Sequence, residues 1–221
     1  MKSFDSGAPA EIVYCDNHLV VAVKPSGWLT QPDESERVNL EAFVKNWVKR
    51  EFHKPGAVFL HCIHRLDRPV FGLVLFARTS KALSRLNEAS RQGNIERRYV
   101  AEVEGIVSEK EGVLEHWLIH GDHRAVVVPE GQEEAKRAVL NFRALQQREH
   151  TTLIEVELET GRYHQIRAQF GALGHPVVGD FKYGARHSRP DEGIHLACTE
   201  LKLSHPVTQE AMKVSVAAPF A

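Results

Sequence analysis

Residues 11–24, EIVYCDNHLVVAVK, set two apolar, β-rich runs on either side of Asp16-Asn17. Val, Ile and Tyr fit an extended, half-buried backbone, and an Asp-Asn pair suits the tight reversal of a β-hairpin. Pro25-Ser26-Gly27 then ends the second strand. The same grammar returns downstream. Residues 97–107, RRYVAEVEGIV, alternate polar and apolar. The segments 113–120, 123–128, 136–146 and 151–159 also read as strands, reversing at Gly121-Asp122 and near Arg148 to His150, and two more strands fit 194–203 and 211–217. Gly72-Leu73-Val74-Leu75-Phe76-Ala77 is a continuous apolar run and reads as a buried strand.

Helices are fewer. Asn39 can cap a helix whose apolar face is Leu40, Phe43, Val44, Trp47 and Val48, with Trp47 expected in the core. Ser80 can cap a second, which Gly93 ends, and a short third follows Thr160-Gly161 and stops near Gly171 to Gly174. Strands outnumber helices and arrive in hairpins. That pattern predicts an α+β fold with a largely antiparallel sheet rather than alternating βαβ units.

The 221 residues suffice for one large domain or two lobes. With 43% hydrophobic and 26% charged residues, the chain reads as an ordinary globular protein. No apolar stretch approaches the roughly 20 residues that span a membrane. The N-terminus MKSFDSGAPAEIVYCDNH lacks the apolar core of a signal peptide, so a cytoplasmic protein is expected. Cys15, Cys62 and Cys198 are odd in number and form no CxxC pair. They are expected to be reduced core thiols. A net charge of −1 argues against binding nucleic acid by bulk charge, yet Arg65 to Arg98 carries eight basic side chains against three acidic ones.

No GxGxxG, GxxxxGK[ST] or GxSxG occurs, which disfavours a nucleotide cofactor and a serine-hydrolase elbow. Among the 13 histidines, His61/His64 and His116/His120/His123 do not converge as three or four metal ligands would, so no metal site is expected. Three stretches stand out. In Leu60-His61-Cys62-Ile63-His64-Arg65-Leu66-Asp67-Arg68-Pro69 a carboxylate is flanked by two guanidinium groups. These would lower its pKa and hold it ionised, ready as a nucleophile or base, or simply form a structural salt bridge at a strand entrance. Thr160-Gly161-Arg162-Tyr163-His164-Gln165-Ile166-Arg167 reads as a sharp turn into a helix N-terminus. It suits a phosphate or carboxylate, or is only a polar helix face. Leu173 to Gly184 is an irregular Gly/Pro loop with a positive edge from Lys182, Arg186 and Arg189.

In this order the segments resemble the RluA-type RNA pseudouridine synthases. Lys24-Pro25-Ser26-Gly27-Trp28-Leu29 resembles the family's first motif, and His64-Arg65-Leu66-Asp67-Arg68 with Gly72 to Ala77 its catalytic motif. Glu96-Arg97-Arg98-Tyr99 resembles the segment that supplies an active-site tyrosine. Thr160 to Arg167 with Leu173-Gly174-His175-Pro176 resembles the third motif, and Ile194-His195-Leu196-Ala197 a late strand that closes the pocket. The resemblance implies the pseudouridine synthase fold, a largely antiparallel mixed sheet with flanking helices and loops, in two lobes around a central cleft. It implies one catalytic domain over residues 1–221. A uridine in tRNA or rRNA would be flipped from its stack, its glycosidic bond broken, and the uracil rotated and rejoined through carbon 5. No cofactor, metal or protein partner is implied, and the chain would act as a monomer.

By the same resemblance Asp67 is the essential carboxylate, and Arg167 pairs with it, keeping it ionised and aimed. Tyr99 stacks on the uracil and helps move a proton, and Leu196 walls the ring. Arg65 fills the gap left by the flipped base, and His64, Arg68, Arg162, His164 and Gln165 join it in binding substrate. The chain departs from the pattern at Val70-Phe71-Gly72, where relatives commonly carry Thr-Ser-Gly, and at Tyr163, where threonine is usual. It also begins close to the first motif, so RNA recognition is expected to come from the catalytic domain alone. The competing reading is a catalytically silent RNA-binding protein on the same fold.

Overall fold

The computed structural model of the chain describes residues 10–35, 37–187 and 193–221. In chain order its elements are β1 (Glu11–Cys15), β2 (Leu19–Lys24), α1 (Leu40–Glu51), β3 (His61–Cys62), β4 (Phe71–Ala77), α2 (Ser80–Arg91), β5 (Glu96–Glu104), β6 (Glu111–His120), β7 (Ala125–Val128), β8 (Lys136–Gln147), β9 (Thr151–Leu158), α3 (Gln165–Ala172), β10 (Leu196–Ser204) and β11 (Ala211–Ser215). The class is α+β, as expected. The chain divides into two compact units. The first holds Met1–Ile95, Asp191–Gly193 and Cys198–Val216; the second holds Glu96–Pro190, Ile194–Ala197 and Ala217–Ala221. Among the described residues no helix is long and apolar enough to cross a membrane. Residues 1–9, on which much of the leader-free reading falls, and Arg189 lie outside the described residues.

In the first unit β1 and β2 pair antiparallel with a bulge between Ile12 and Tyr14. The reversal is an Asx turn: Asp16 Oδ1 accepts from His18 N at 2.7 Å and Leu19 N at 2.9 Å. β2 continues onto β4, from Leu19 opposite Ala77 to Lys24 opposite Gly72. Gly72 adopts φ 127, and a Cβ there would lie 2.2 Å from the Cys198 carbonyl oxygen. Only glycine lets β4 run this close to β10. Asn39 caps α1 as expected, its Oδ1 accepting from Ala42 N at 2.9 Å. Leu40, Val44 and Val48 are buried. Trp47 is only half-buried, its indole meeting Phe52 edge-on, because so large a ring reaches past the helix face. The second helix is capped by Thr79 rather than Ser80, the Thr79 hydroxyl accepting from Ala82 N at 3.1 Å. Of the cysteines, Cys198 is buried as expected, whereas Cys15 and Cys62 are half-buried.

The second unit is an antiparallel array in the order β5-β9-β8-β6-β7. Tyr99, Ala101 and Val103 turn the apolar face of β5 into the core. The alternation predicts a wet opposite face, yet Glu102 and Glu104 are also buried. Their charges are matched locally. Glu102 takes bonds from Arg148, Thr151 and His195, and Glu104 from the backbone of Arg186 and His187. Charge-assisted bonds of this kind offset the loss of water.

Candidate functional site

The candidate carboxylate lies on the loop between β3 and β4, and the first motif forms the cradle of that loop. Thr30 binds Leu66 twice: its hydroxyl donates to Leu66 O at 2.9 Å and accepts from Leu66 N at 3.1 Å. Gly27 N donates to Arg68 O at 2.9 Å. Lys24 is fully buried at the end of β2, and its Nζ donates to the carbonyls of Pro25, Trp28 and Arg68 at 2.8–3.0 Å. Burial pushes its pKa down to about 7, against the charge of nearby Asp67, which raises it. From the other side, Leu75 N donates to His64 Nε2 at 3.2 Å, and Ile63 N to Leu75 O at 2.9 Å. Val70 N closes a turn onto Asp67 O at 3.0 Å.

The result is a loop fixed through its backbone at Leu66 and Arg68, on either side of Asp67. Asp67 itself is half-buried, as is Arg68, while Arg65 is exposed. A carboxylate so placed sits on a main chain that cannot drift. His64 is 9% exposed and spends Nε2 on β4, so it holds the loop rather than offering that nitrogen to a substrate. Val70, which replaces a hydroxyl residue of the family pattern, is 2% exposed in the core.

The second unit carries Tyr99, Arg162, His164, Gln165, Arg167 and Leu196. The third helix begins at Gln165, not just after Gly161, so Arg162 precedes it. The delay has a cause in Gln165. Its Oε1 accepts from Thr160 Oγ1 at 2.8 Å and from Arg162 N at 3.0 Å, and its Nε2 donates to Val139 O at 3.0 Å. Gln165 is buried and shapes this turn. His164 sits in the left-handed region at φ 53, a conformation that costs a non-glycine residue roughly 1–3 kcal/mol. Burial, with help from Arg167 and Lys182, pushes the His164 pKa down to about 3, so the ring is neutral at ordinary pH.

Arg167 is 4% exposed on α3. Its Nε donates to Asp180 Oδ2 at 2.6 Å and its Nη2 to Asp180 Oδ1 at 2.9 Å. Asp180 is itself 2% exposed. This fork-on-fork pair fixes the plane of the guanidinium, which also lies 5.2 Å over the Tyr183 ring. Tyr99, on β5 opposite Val156, and Leu196, at the start of β10, are 6% and 3% exposed.

The structure thus gathers His64, Arg65, Asp67 and Arg68 on one braced loop of the first unit. Arg162, His164, Gln165 and Arg167 lie in one turn and helix start of the second. Sequence reading missed three supports. Lys24 and Thr30 act across more than 30 residues of chain, and Asp180 sits in a loop read only as irregular and positive. The one available signal was a lysine closing the apolar run Leu19 to Val23. Among the described residues no group of three or more His, Cys, Asp or Glu is arranged to hold a metal ion.

A family model described as RNA pseudouridylate synthase matches residues 18–172. The chain is 31% identical over 225 residues to tRNA pseudouridine synthase C of Pectobacterium carotovorum subsp. carotovorum, covering 91% of this chain and 57% of that protein. It is 32% identical over 216 residues to the uncharacterized RNA pseudouridine synthase YjbO of Bacillus subtilis (strain 168), covering 96% and 73%. The chain therefore spans little more than half of the Pectobacterium relative and about three quarters of the Bacillus one. Among solved structures, human RNA Pseudouridylate Synthase Domain Containing 4 matches with a TM-score of 0.79 at 20% identity, covering 95% of this chain and 88% of that one. At that identity the likeness is one of fold.

Proposed function

The chain belongs to the RNA pseudouridylate synthase family, and we propose that it isomerises uridine to pseudouridine in RNA, with Asp67 as the essential carboxylate. The observation that carries this reading is the Asp67 loop. It is clamped through its backbone at Leu66 and Arg68, on either side of a half-buried Asp67. Such preorganisation is what a reaction needs when a carboxylate must meet one atom of a flipped nucleotide.

The bond from ring nitrogen 1 to the sugar breaks, the uracil turns, and carbon 5 bonds to the sugar. The proton leaves carbon 5, and nitrogen 1 gains one, so no redox partner is consumed. Arg167 pairs with Asp67 and aims it. Tyr99 stacks on the uracil and assists proton transfer, and Leu196 supplies an apolar wall. Arg65 fills the vacated stack. Arg68, Arg162 and His164 bind the RNA, while His64 and Gln165 hold the segments that do. The two units act together as one catalytic domain. The substrate is tRNA or rRNA, and the name of the Pectobacterium relative favours tRNA. The enzyme works as a monomer in the cytoplasm, without a protein partner.

Mapping pseudouridine across total RNA from cells with and without the gene tests the reading. One or more positions should lose the modification on deletion and regain it with the purified protein. An unchanged map, with the purified protein inert on RNA from the deletion strain, would favour the catalytically silent RNA-binding reading.

A further inference from the structure

Tyr163 stands where the family pattern has threonine, and the proposed reaction gives it no task. Its ring is exposed at the surface of the second unit and is sandwiched. It stacks on His120 at 4.3 Å between centroids and on His164 at 3.8 Å, with interplanar angles of 28° and 19°. Below, His164 meets Tyr183 edge-on, its Nδ1 2.9 Å from the Tyr183 hydroxyl, which accepts from Ala125 N at 2.8 Å. Four rings therefore form a column, anchored at its inner end and capped by the exposed His120 at the tip of β6.

Beside the column opens a cavity of about 500 Å³, lined among others by Ile119, His120, Glu134, Lys136, Arg162 and Tyr163. That volume is in the range of small-ligand sites. Arg162 is exposed and donates from Nε to Arg137 O at 2.9 Å. Across Gly161, which lines the cavity, the Arg97 guanidinium lies 3.1 Å from where a Cβ would stand. The buried Nε of Arg97 has no hydrogen-bond partner among the described residues. A lone anion would be repelled by Glu134. A nucleotide fits better: the flat face of its base suits the ring column, the base edge can use an acceptor and donors together, and the phosphate meets the cations.

We propose that the His120–Tyr163 stack and its cavity form a subsite for an unpaired nucleobase of the RNA, separate from the uridine that reacts. The subsite rests on the RNA-modifying reading and deepens it. It assigns Tyr163 and His120 to substrate selection.

Short single-stranded RNA carrying one 2-aminopurine is the probe, since stacking on an aromatic ring quenches its fluorescence. The full chain should bind and quench it. Tyr163→Ala and His120→Ala should each lower affinity on the order of 5- to 100-fold and abolish most of the quenching, and Tyr163→Phe should retain both. Lys136→Glu should weaken binding and flatten its salt dependence. With total tRNA as substrate, KM should rise in the alanine variants by more than kcat falls. Wild-type affinity and quenching in both alanine variants, in a protein that still makes pseudouridine, would overturn the subsite alone. A wild-type chain that makes no pseudouridine would overturn the reading beneath it, and the subsite with it.

Discussion

The loop that carries Asp67 and the turn that carries Arg167 are fixed by opposite means. The Asp67 loop is held by its backbone. A threonine hydroxyl, a lysine ammonium and a histidine ring all bind main-chain groups, and Asp67 between them is half-buried. The Arg167 segment is held by its side chains. A buried carboxylate grips the guanidinium in two places, and Gln165 ties the preceding turn to Val139. The contrast teaches how each charge is used. Asp67 is placed for chemistry by a main chain that is pinned on both sides of it. Arg167 spends two donors on Asp180 and is a fixed electrostatic element rather than a mobile hand.

Breaking the side-chain clamp should cost most. Asp180→Ala leaves half of a buried ion pair behind and should destabilise the chain by about 3–5 kcal/mol, read as a shift in urea midpoint. Lys24→Met removes the donor to three carbonyls but also relieves a buried charge, so the loss should be smaller, about 1–3 kcal/mol. Equal losses in the two variants would erase the contrast.

A pH experiment sharpens it further. His164 has its pKa held near 3 by burial, against an ordinary 6.5. The unfolded chain therefore takes up the proton first, and stability falls as pH drops from about 6.5 toward 3. Between pH 7.5 and 5 this group should account for about 1–2 kcal/mol. His164→Phe should flatten the urea-midpoint profile by that amount, and an unchanged slope would show that the turn does not bury a neutral ring.

Local chemistry made much of this fold legible. The hairpin about Asp16, the buried run Gly72 to Ala77 and the Asn39 cap all follow from neighbours a few residues apart, and the structure holds them where the sequence reading puts them. What escaped was long-range or reciprocal. The bonds from Lys24 to Arg68 and from Thr30 to Leu66 span 44 and 36 residues, and no periodicity encodes them. The start of the third helix was misplaced because Gln165 reaches back to Thr160 and Arg162, which a capping rule that looks only for Ser, Thr, Asp or Asn does not anticipate. Alternation alone puts Glu102 and Glu104 on the polar face of their strand; partners distant in the chain let them be buried there. At the candidate site, the sequence could quote Asp67 and Arg167 but not the groups that brace them.

The central claim is that the Asp67 loop is a scaffold for one carboxylate, and that its shape does not depend on that carboxylate. Asp67→Asn changes one oxygen to an amide and leaves every backbone bond of the loop in place. Pseudouridine formation on RNA from a deletion strain should be abolished, with urea midpoint and RNA affinity close to wild type. Pseudouridine formation at the wild-type rate by Asp67→Asn would contradict the account.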